Sequence, residues 1–285
     1  MPRISYSQFS MYHQCPKRWK LNYVDKLRVA DSNIHLVFGS AMHTTIQLYL
    51  QTMYDASIKS ADSLDLEEIL QGEMIEEFQE AEKKYGSKPA TAEQLREFFE
   101  DGINIINFLK KKRADYFGKK GWKLVGIEEP ISLSLGETQT KKKIGFIGYL
   151  DVVLLHEPTN LLKIIDLKTS TRGWNKYQKK DQLKTAQLLL YKKFYSEMTD
   201  HPIDKIDVEY IILKRKLYEN TDFPQKRIQR FSPANGKPSI NRVTKQLDEF
   251  INGAFGEKLL DATPSKSACR WCEFNQTEHC TEGVR

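Results

Sequence analysis

Two kinds of hydrophobic spacing divide the chain. Residues 40–57, 64–84 and 91–117 read as three helices, with Gly86-Ser87-Lys88-Pro89 separating the last two and residues 118–121 closing the set. From residue 123 the apolar positions close up into runs of strand length. These are 123–127, closed by Glu128 and Glu129 ahead of Pro130, then 144–155 and 161–168, with residues 136–140 turning one hairpin. A helix over about 177–198, a strand over 206–216 and a last helix over about 239–254 complete the series. After the helical region the order is strand, strand, strand, helix, strand. No internal repeat or low-complexity tract interrupts it beyond short lysine runs.

Candidate chemistry concentrates in two of these strands. The run 144–155 carries Asp151, and the run 161–168 ends in Asp166-Leu167-Lys168. Side chains alternate along a strand, so Asp166 and Lys168 share a face while Leu167 turns into the core. Two carboxylates and an ammonium on one face meet the needs of metal-dependent phosphodiester cleavage. The oxygens hold Mg²⁺ or Mn²⁺, and the amine positions the attacking water or stabilises charge building on phosphorus.

At these residues the chain resembles the PD-(D/E)xK nuclease superfamily, specifically the RecB-type branch that includes the iron-sulfur CRISPR-adaptation exonucleases. The resemblance runs from Ser5 to Cys280. Ser5-Tyr6-Ser7-Gln8-Phe9, with Cys15-Pro16 and Trp19 to Tyr23, is similar to the opening helix and its first cysteine. Phe38-Gly39-Ser40-Ala41-Met42-His43 resembles the motif whose histidine contributes to the metal site. Gly148-Tyr149-Leu150-Asp151 and Asp166-Leu167-Lys168-Thr169 match the catalytic motifs, and Gln187 with Tyr191 matches the Gln-x-x-x-Tyr motif. Cys269, Cys272 and Cys280 close the series.

The resemblance implies an α/β restriction-endonuclease-like core, a mixed sheet flanked by helices, with an N-terminal helical insertion and a C-terminal cysteine-cluster segment. One nuclease domain over residues 1–285 would comprise a cluster segment (1–38), a helical subdomain (39–121), the core (122–255) and the cysteine segment (256–285). Asp151, Asp166 and Lys168 would be catalytic, with His43 and the Leu167 carbonyl completing the metal shell. Gln187 and Tyr191, four apart and so on one helix face, would orient the site or touch substrate, with Gln178 and Gln182 upstream on roughly that face. Glu128 or Glu129 is a weaker addition.

Four cysteines in 285 residues are too few for a disulfide framework, and the N-terminus carries no secretory pattern, so a reducing, cytoplasmic setting in a bacterial, archaeal or virus-infected cell is expected. Cys-x-x-Cys with a third cysteine beyond then reads as a metal site. The resemblance implies a [4Fe-4S] cluster held by Cys15, Cys269, Cys272 and Cys280. A Zn²⁺ on the three C-terminal cysteines with His279 or Cys15 is the competing reading, because seven residues separate Cys272 from Cys280.

A charge of +6 favours an anionic partner, and its distribution sharpens the point. Basic residues gather at Lys17 to Arg28, Lys110 to Lys123 and Lys141 to Lys143. Arg172, Lys176, Lys179 and Lys180 interleave with Trp174 and Tyr177 just after the Asp-Leu-Lys-Thr motif, which suits a phosphate backbone and stacked bases. The acidic stretch 62–82 is expected to face away from nucleic acid. No apolar run is long enough to span a bilayer. No phosphate-binding Gly-x-x-x-x-Gly-Lys-Ser/Thr is present, so a helicase or recombination partner would be a separate chain. The reading is therefore a DNA exonuclease using Mg²⁺ or Mn²⁺ and acting on ends or single strands. A structure-specific endonuclease and a non-catalytic DNA-binding subunit are the alternatives.

Overall fold

The computed structural model describes residues 2–27, 32–137, 143–256 and 259–284. Arg28, Lys141 and Lys142, and residues 138–140 of the turn expected at 136–140, lie outside the described residues. The helical part opens with α1 (Tyr6–Gln14) and α2 (Pro16–Tyr23), which meet at Cys15, with Pro16 in the first turn of α2 where its missing N–H costs no bond. Next come α3 (Ile34–Asp55), the short α4 (Ile58–Asp62), α5 (Leu66–Tyr85) and α6 (Ala92–Tyr116).

The caps explain these boundaries. Asp65 accepts the Glu68 amide to start α5, and Thr91 and Gln94 form a capping box on α6. The helix expected to begin at residue 40 instead begins at Ile34, because Asn33 accepts the His35 and Leu36 amides. His43 therefore lies mid-helix rather than in its first turn.

The sheet is mixed. Strands β1 (Arg3–Ile4), β2 (Trp122–Glu137), β3 (Lys143–His156), β4 (Leu161–Ser170), β5 (Ile206–Lys214) and β6 (Ile228–Phe231) lie in the order β1-β3-β4-β5-β6, with β2 on the other edge of β3. Glu128 and Glu129 do not end a strand. They sit inside β2, an edge strand, the kind of place where a proline such as Pro130, paired with Tyr149, is tolerated. The helix expected over 177–198 is two helices, α7 (Lys176–Lys180) and α8 (Gln182–Thr199), because Asp181 leaves the helical conformation and caps α8 through the Leu183 and Lys184 amides. Last come α9 (Lys237–Ala254) and α10 (Lys266–Cys269).

Two apolar cores lie on opposite faces of the sheet. Helices α3, α5 and α6 cover one, with Phe38, Met42, Ile105, Val152, Ile165, Leu167 and Ile211 inside it. Helices α1, α8 and α9 cover the other, with Phe9, Phe146, Leu150, Ile164, Leu189, Tyr210 and Phe250. The helical insertion thus shares a core with the sheet. The decisive feature for function is a fork: β3 and β4 pair antiparallel only from His156↔Leu161 to Val152↔Ile165. Beyond that last pair they part, and β1 pairs with β3 at Gly145 and Phe146.

Candidate active site

Asp151 and Asp166 are the first residues past the last β3–β4 pair, so both stand at the mouth of the fork. Lys168 follows Asp166 on the same face, and its Nζ lies 2.7 Å from Asp166 Oδ2. Leu167 is fully buried in the opposite core, as alternation requires. Its amide donates to Asp151 Oδ2 at 2.7 Å, which fixes the first carboxylate against the second strand. His43 approaches from α3, with Nδ1 3.5 Å from Asp151 Oδ2. Three separate stretches of sequence, at His43, Asp151 and Asp166-Leu167-Lys168, therefore meet at one fork.

Burial dominates the electrostatics here. Asp166 is 2% exposed, and loss of water pushes its carboxyl up to about 6, against the opposing pull of Lys168. Asp151 is raised to about 6 for the same reason. Burial and the Lys168 charge lower His43, which keeps the imidazole neutral and able to ligate a metal. Burial alone would lower Lys168, but the two aspartates outweigh it and raise the amine to about 12. The two aspartates therefore favour the protonated form of the lysine in the metal-free site.

The donor set fits a hard divalent cation. Asp166 Oδ2 is buried without a hydrogen-bond partner, because the Lys168 ammonium, though close, is out of line for one. Formal charge gives the same answer: the carboxylates of Asp151, Asp166 and nearby Glu128 against one ammonium leave two negative charges in excess. Among the described residues no group of three or more His, Cys, Asp or Glu is gathered tightly enough to enclose an ion as it stands. Holding a cation there requires local side-chain movement.

Tyr191 is buried beside the site, with its hydroxyl 3.4 Å from Gln187 Nε2, so the two do share a face of α8. Its ring also explains Gly148: a Cβ there would lie 2.8 Å from Tyr191 Cε1. Gln178 does not belong to this face. It lies on α7, where its side chain closes a capping box with Asn175.

The basic segment is placed by α7 and the turn before it. Arg172, Lys176 and Lys180 are exposed, Lys179 is half-buried, and Tyr177 is 71% exposed. Trp174 differs from the expectation of a free stacking platform: its ring packs on Tyr210 at 4.8 Å and Phe231 at 6.1 Å, with Lys184 5.5 Å from its centre. Two residues that sequence motifs single out weakly or not at all also reach the site, Glu128 on β2 and Gln47 on α3. Helical spacing offers one signal, since Gln47 lies one turn after His43.

A sequence profile of the PD-(D/E)XK nuclease superfamily matches residues 3–277. The chain belongs to the PD-(D/E)XK nuclease superfamily. Among solved structures, a candidate exonuclease from Eubacterium rectale aligns with a TM-score of 0.54 at 12% identity, covering 95% of this chain and 86% of that one, a likeness of fold. The structure of SSO0001 aligns with a TM-score of 0.35 at 11% identity over 90% of this chain and 91% of that chain, too distant to weigh. No curated protein matches. Nucleases of this superfamily generally use divalent metals such as Mg²⁺ or Mn²⁺ and act on nucleic acid.

The cysteines form a second constellation. Cys15, Cys269, Cys272 and Cys280 all line one small cavity with Ala262, Pro264, Asn275 and Gly283. His279 is not among its lining residues; its ring packs against Phe274. Around the cavity the chain ends are joined by Arg18–Glu273 and Lys17–Glu282 ion pairs, each at 2.6 Å, and by Asn22 donating to Glu273 at 2.7 Å. Among the described residues no helix is long and apolar enough to cross a membrane.

Proposed function

We propose that this chain is a metal-dependent DNA exonuclease acting on ends or single strands. The observation that carries the reading is the meeting of His43, Asp151, Asp166, Leu167 and Lys168 where β3 and β4 part. A Mg²⁺ or Mn²⁺ ion, when bound, would polarise the scissile phosphate and lower the pKa of a bound water. The Asp151 and Asp166 carboxylates, the His43 imidazole and the Leu167 carbonyl would hold it. Lys168, kept protonated by its two aspartates, orients the attacking water and offsets the charge that builds on the phosphate oxygens. Tyr191 and Gln187 close the side of the site against α8.

Substrate approach rests on the basic segment after β4. Arg172, Lys176, Lys179 and Lys180 supply the cations that face phosphate, and the exposed Tyr177, with Lys176 Nζ 5.1 Å from its ring centre, offers a ring on which a base can stack. The acidic α5 packs on α3 and α6.

We further propose that the four cysteines hold a [4Fe-4S] cluster joining the two ends of a single nuclease domain. Their gathering around one cavity supports this, and the exclusion of His279 from that cavity favours four thiolates over a histidine-containing zinc site. The test of the activity is a time course on linear and covalently closed, single- and double-stranded DNA with Mg²⁺ and with Mn²⁺. Loss of linear DNA from its ends with survival of closed circles is expected; linearised circles would replace the exonuclease reading with an endonuclease one.

A further inference from the structure

Strands β4 and β5 run parallel, with Ser170 opposite Lys214, so the segments that follow them leave the sheet at one edge. In open α/β sheets ligands bind outside the carboxyl ends of the strands, which is this edge. The segment after β4 carries the basic residues described above. The loop after β5, residues 215–227, is held beside it: the Arg215 amide donates to the Ser170 carbonyl at 3.0 Å and the Lys216 amide to the Thr171 carbonyl at 2.8 Å. Ser170 ends the strand that carries Asp166, about 13 Å further along it.

Two large rings stand out from this loop, Tyr218 at 57% exposed and Phe223 at 64%. Among the described residues five aromatic side chains are exposed, and three of them, Tyr177, Tyr218 and Phe223, belong to the two segments at this edge. A single exposed apolar side chain needs no explanation, but rings gathered at one edge of a sheet do. The bonds that order the loop run through Gln225 instead. Its Oε1 accepts the Tyr218 amide at 2.8 Å, and its Nε2 donates to the Tyr218 carbonyl at 2.7 Å and to Thr221 Oγ1 at 2.6 Å, which closes residues 218–225 on themselves. At the root of the loop Arg215 pairs with Asp101 and Lys216 with Glu97, both on α6. The loop is thus braced while its rings stay outside. Glu219 and Asp222, exposed on the loop, offset Lys226 and leave it little net charge of its own. Its cation comes from the neighbouring segment: the Arg172 guanidinium carbon lies 5.3 Å from the centre of the Tyr218 ring, which joins the two segments in one surface.

We propose that Tyr218 and Phe223 form a stacking platform for unpaired bases, so that the loop after β5 selects single-stranded DNA and holds it away from the scissile phosphate. The inference rests on the nuclease reading of the fork and assigns that site a substrate-selecting surface. The face of a base is open to an aromatic side chain only where the strand is unpaired, and such stacking is indifferent to sequence. Because the charges of the loop offset one another, its rings add affinity without neutralising phosphate, and so without steepening the salt dependence of binding.

The test is fluorescence anisotropy of the full chain with a labelled oligo(dT) and with a blunt duplex of the same length, in EDTA and over a range of salt. Tyr218→Ala and Phe223→Ala should each weaken oligo(dT) binding roughly five- to a hundredfold, while duplex binding stays within about twofold and the salt slope is unchanged. Tyr218→Phe and Phe223→Tyr keep a ring and should bind as wild type does. Phe223→Leu keeps only apolar surface and should bind as weakly as Phe223→Ala. Circular dichroism melting separates a loss of fold from a loss of contact, and both alanine variants should melt with the wild type because their side chains lie largely outside the fold. Oligo(dT) affinity of both alanine variants within twofold of wild type overturns the inference even if the wild type cleaves DNA. An equal loss on the duplex, or Phe223→Leu binding as wild type, overturns it too. A wild type whose oligo(dT) affinity depends on these rings, yet which cleaves no nucleic acid with Mg²⁺ or Mn²⁺, leaves the inference standing and defeats the nuclease reading.

Discussion

Replacing Asp151 by Asn should make the metal-free protein more stable at neutral pH while destroying its activity. Burial holds the Asp151 carboxyl near 6, against 3.8 for the exposed group. A carboxyl whose folded pKa lies above its unfolded one opposes folding at any pH above both values, and costs nothing below the lower one. That displacement corresponds to ~3 kcal/mol at pH 7.5. Asparagine keeps an oxygen to accept the Leu167 amide, which Asp151 Oδ2 now binds at 2.7 Å, so the structural bond survives the loss of charge. Lys168 retains Asp166 as its partner. Urea unfolding in EDTA should therefore show the variant more stable by about 1 to 3 kcal/mol at pH 7.5, with the gain fading toward pH 4. Saturating Mg²⁺ should reverse the order, because only the wild type gains the binding free energy. A variant less stable than wild type in EDTA at pH 7.5, or a difference that does not change with pH, would refute the reasoning.

Cation affinity should depend on acidity through the same groups. Asp151 and Asp166 are both raised to about 6, so protons compete with the metal below that pH, and Mn²⁺ affinity by calorimetry should fall steeply from pH 7 to pH 5; a flat profile contradicts the ligand assignment. Protein purified without oxygen should be brown and carry about four irons, and Cys15→Ser should remove the colour and lower the melting temperature, whereas a colourless protein with one zinc would replace the cluster. Reversing Lys176, Lys179 and Lys180 to Glu should weaken binding to single-stranded DNA and flatten its salt dependence by a slope of about 0.7 for each phosphate no longer neutralised, a change absent if the segment never meets the backbone. Tyr177→Ala should cost on the order of 1 to 3 kcal/mol in binding and Trp174→Ala should act chiefly on folding, since its ring is engaged by Tyr210. An equal drop in affinity for both, with folding intact, would speak against that division.

What the sequence could reveal follows from which features are periodic. Alternation alone puts Asp166 and Lys168 on one face and Leu167 in the core, and the strands of the core are legible because their apolar runs are of strand length and rich in β-formers. Local cap chemistry also speaks through sequence, although the Asn33 start of α3 and the Asp181 break between α7 and α8 show in Asx residues rather than in hydrophobic spacing. Pro130 suggests a strand end because proline usually marks one; the edge position of β2, a property of sheet order, removes that objection. Glu128 and Gln47 are hard to place for a similar reason. Their meeting depends on a left-handed residue inside a strand and on ladder register, and neither leaves a period in the sequence. Trp174 looks like a stacking platform beside lysines, and only the packing of Tyr210 and Phe231 shows its ring occupied.

The central claim, that the fork of β3 and β4 cleaves phosphodiester bonds with a divalent cation, is tested most directly by single-turnover digestion of end-labelled linear DNA by wild type, Asp166→Asn and Lys168→Ala, each with Mg²⁺, Mn²⁺ or EDTA. Cleavage by the wild type with either cation, none in EDTA, and a loss of rate of roughly a thousandfold in both variants with melting temperature and DNA binding retained is the result predicted. Cleavage by Asp166→Asn or Lys168→Ala near the wild-type rate, or undiminished wild-type cleavage in EDTA, would contradict it.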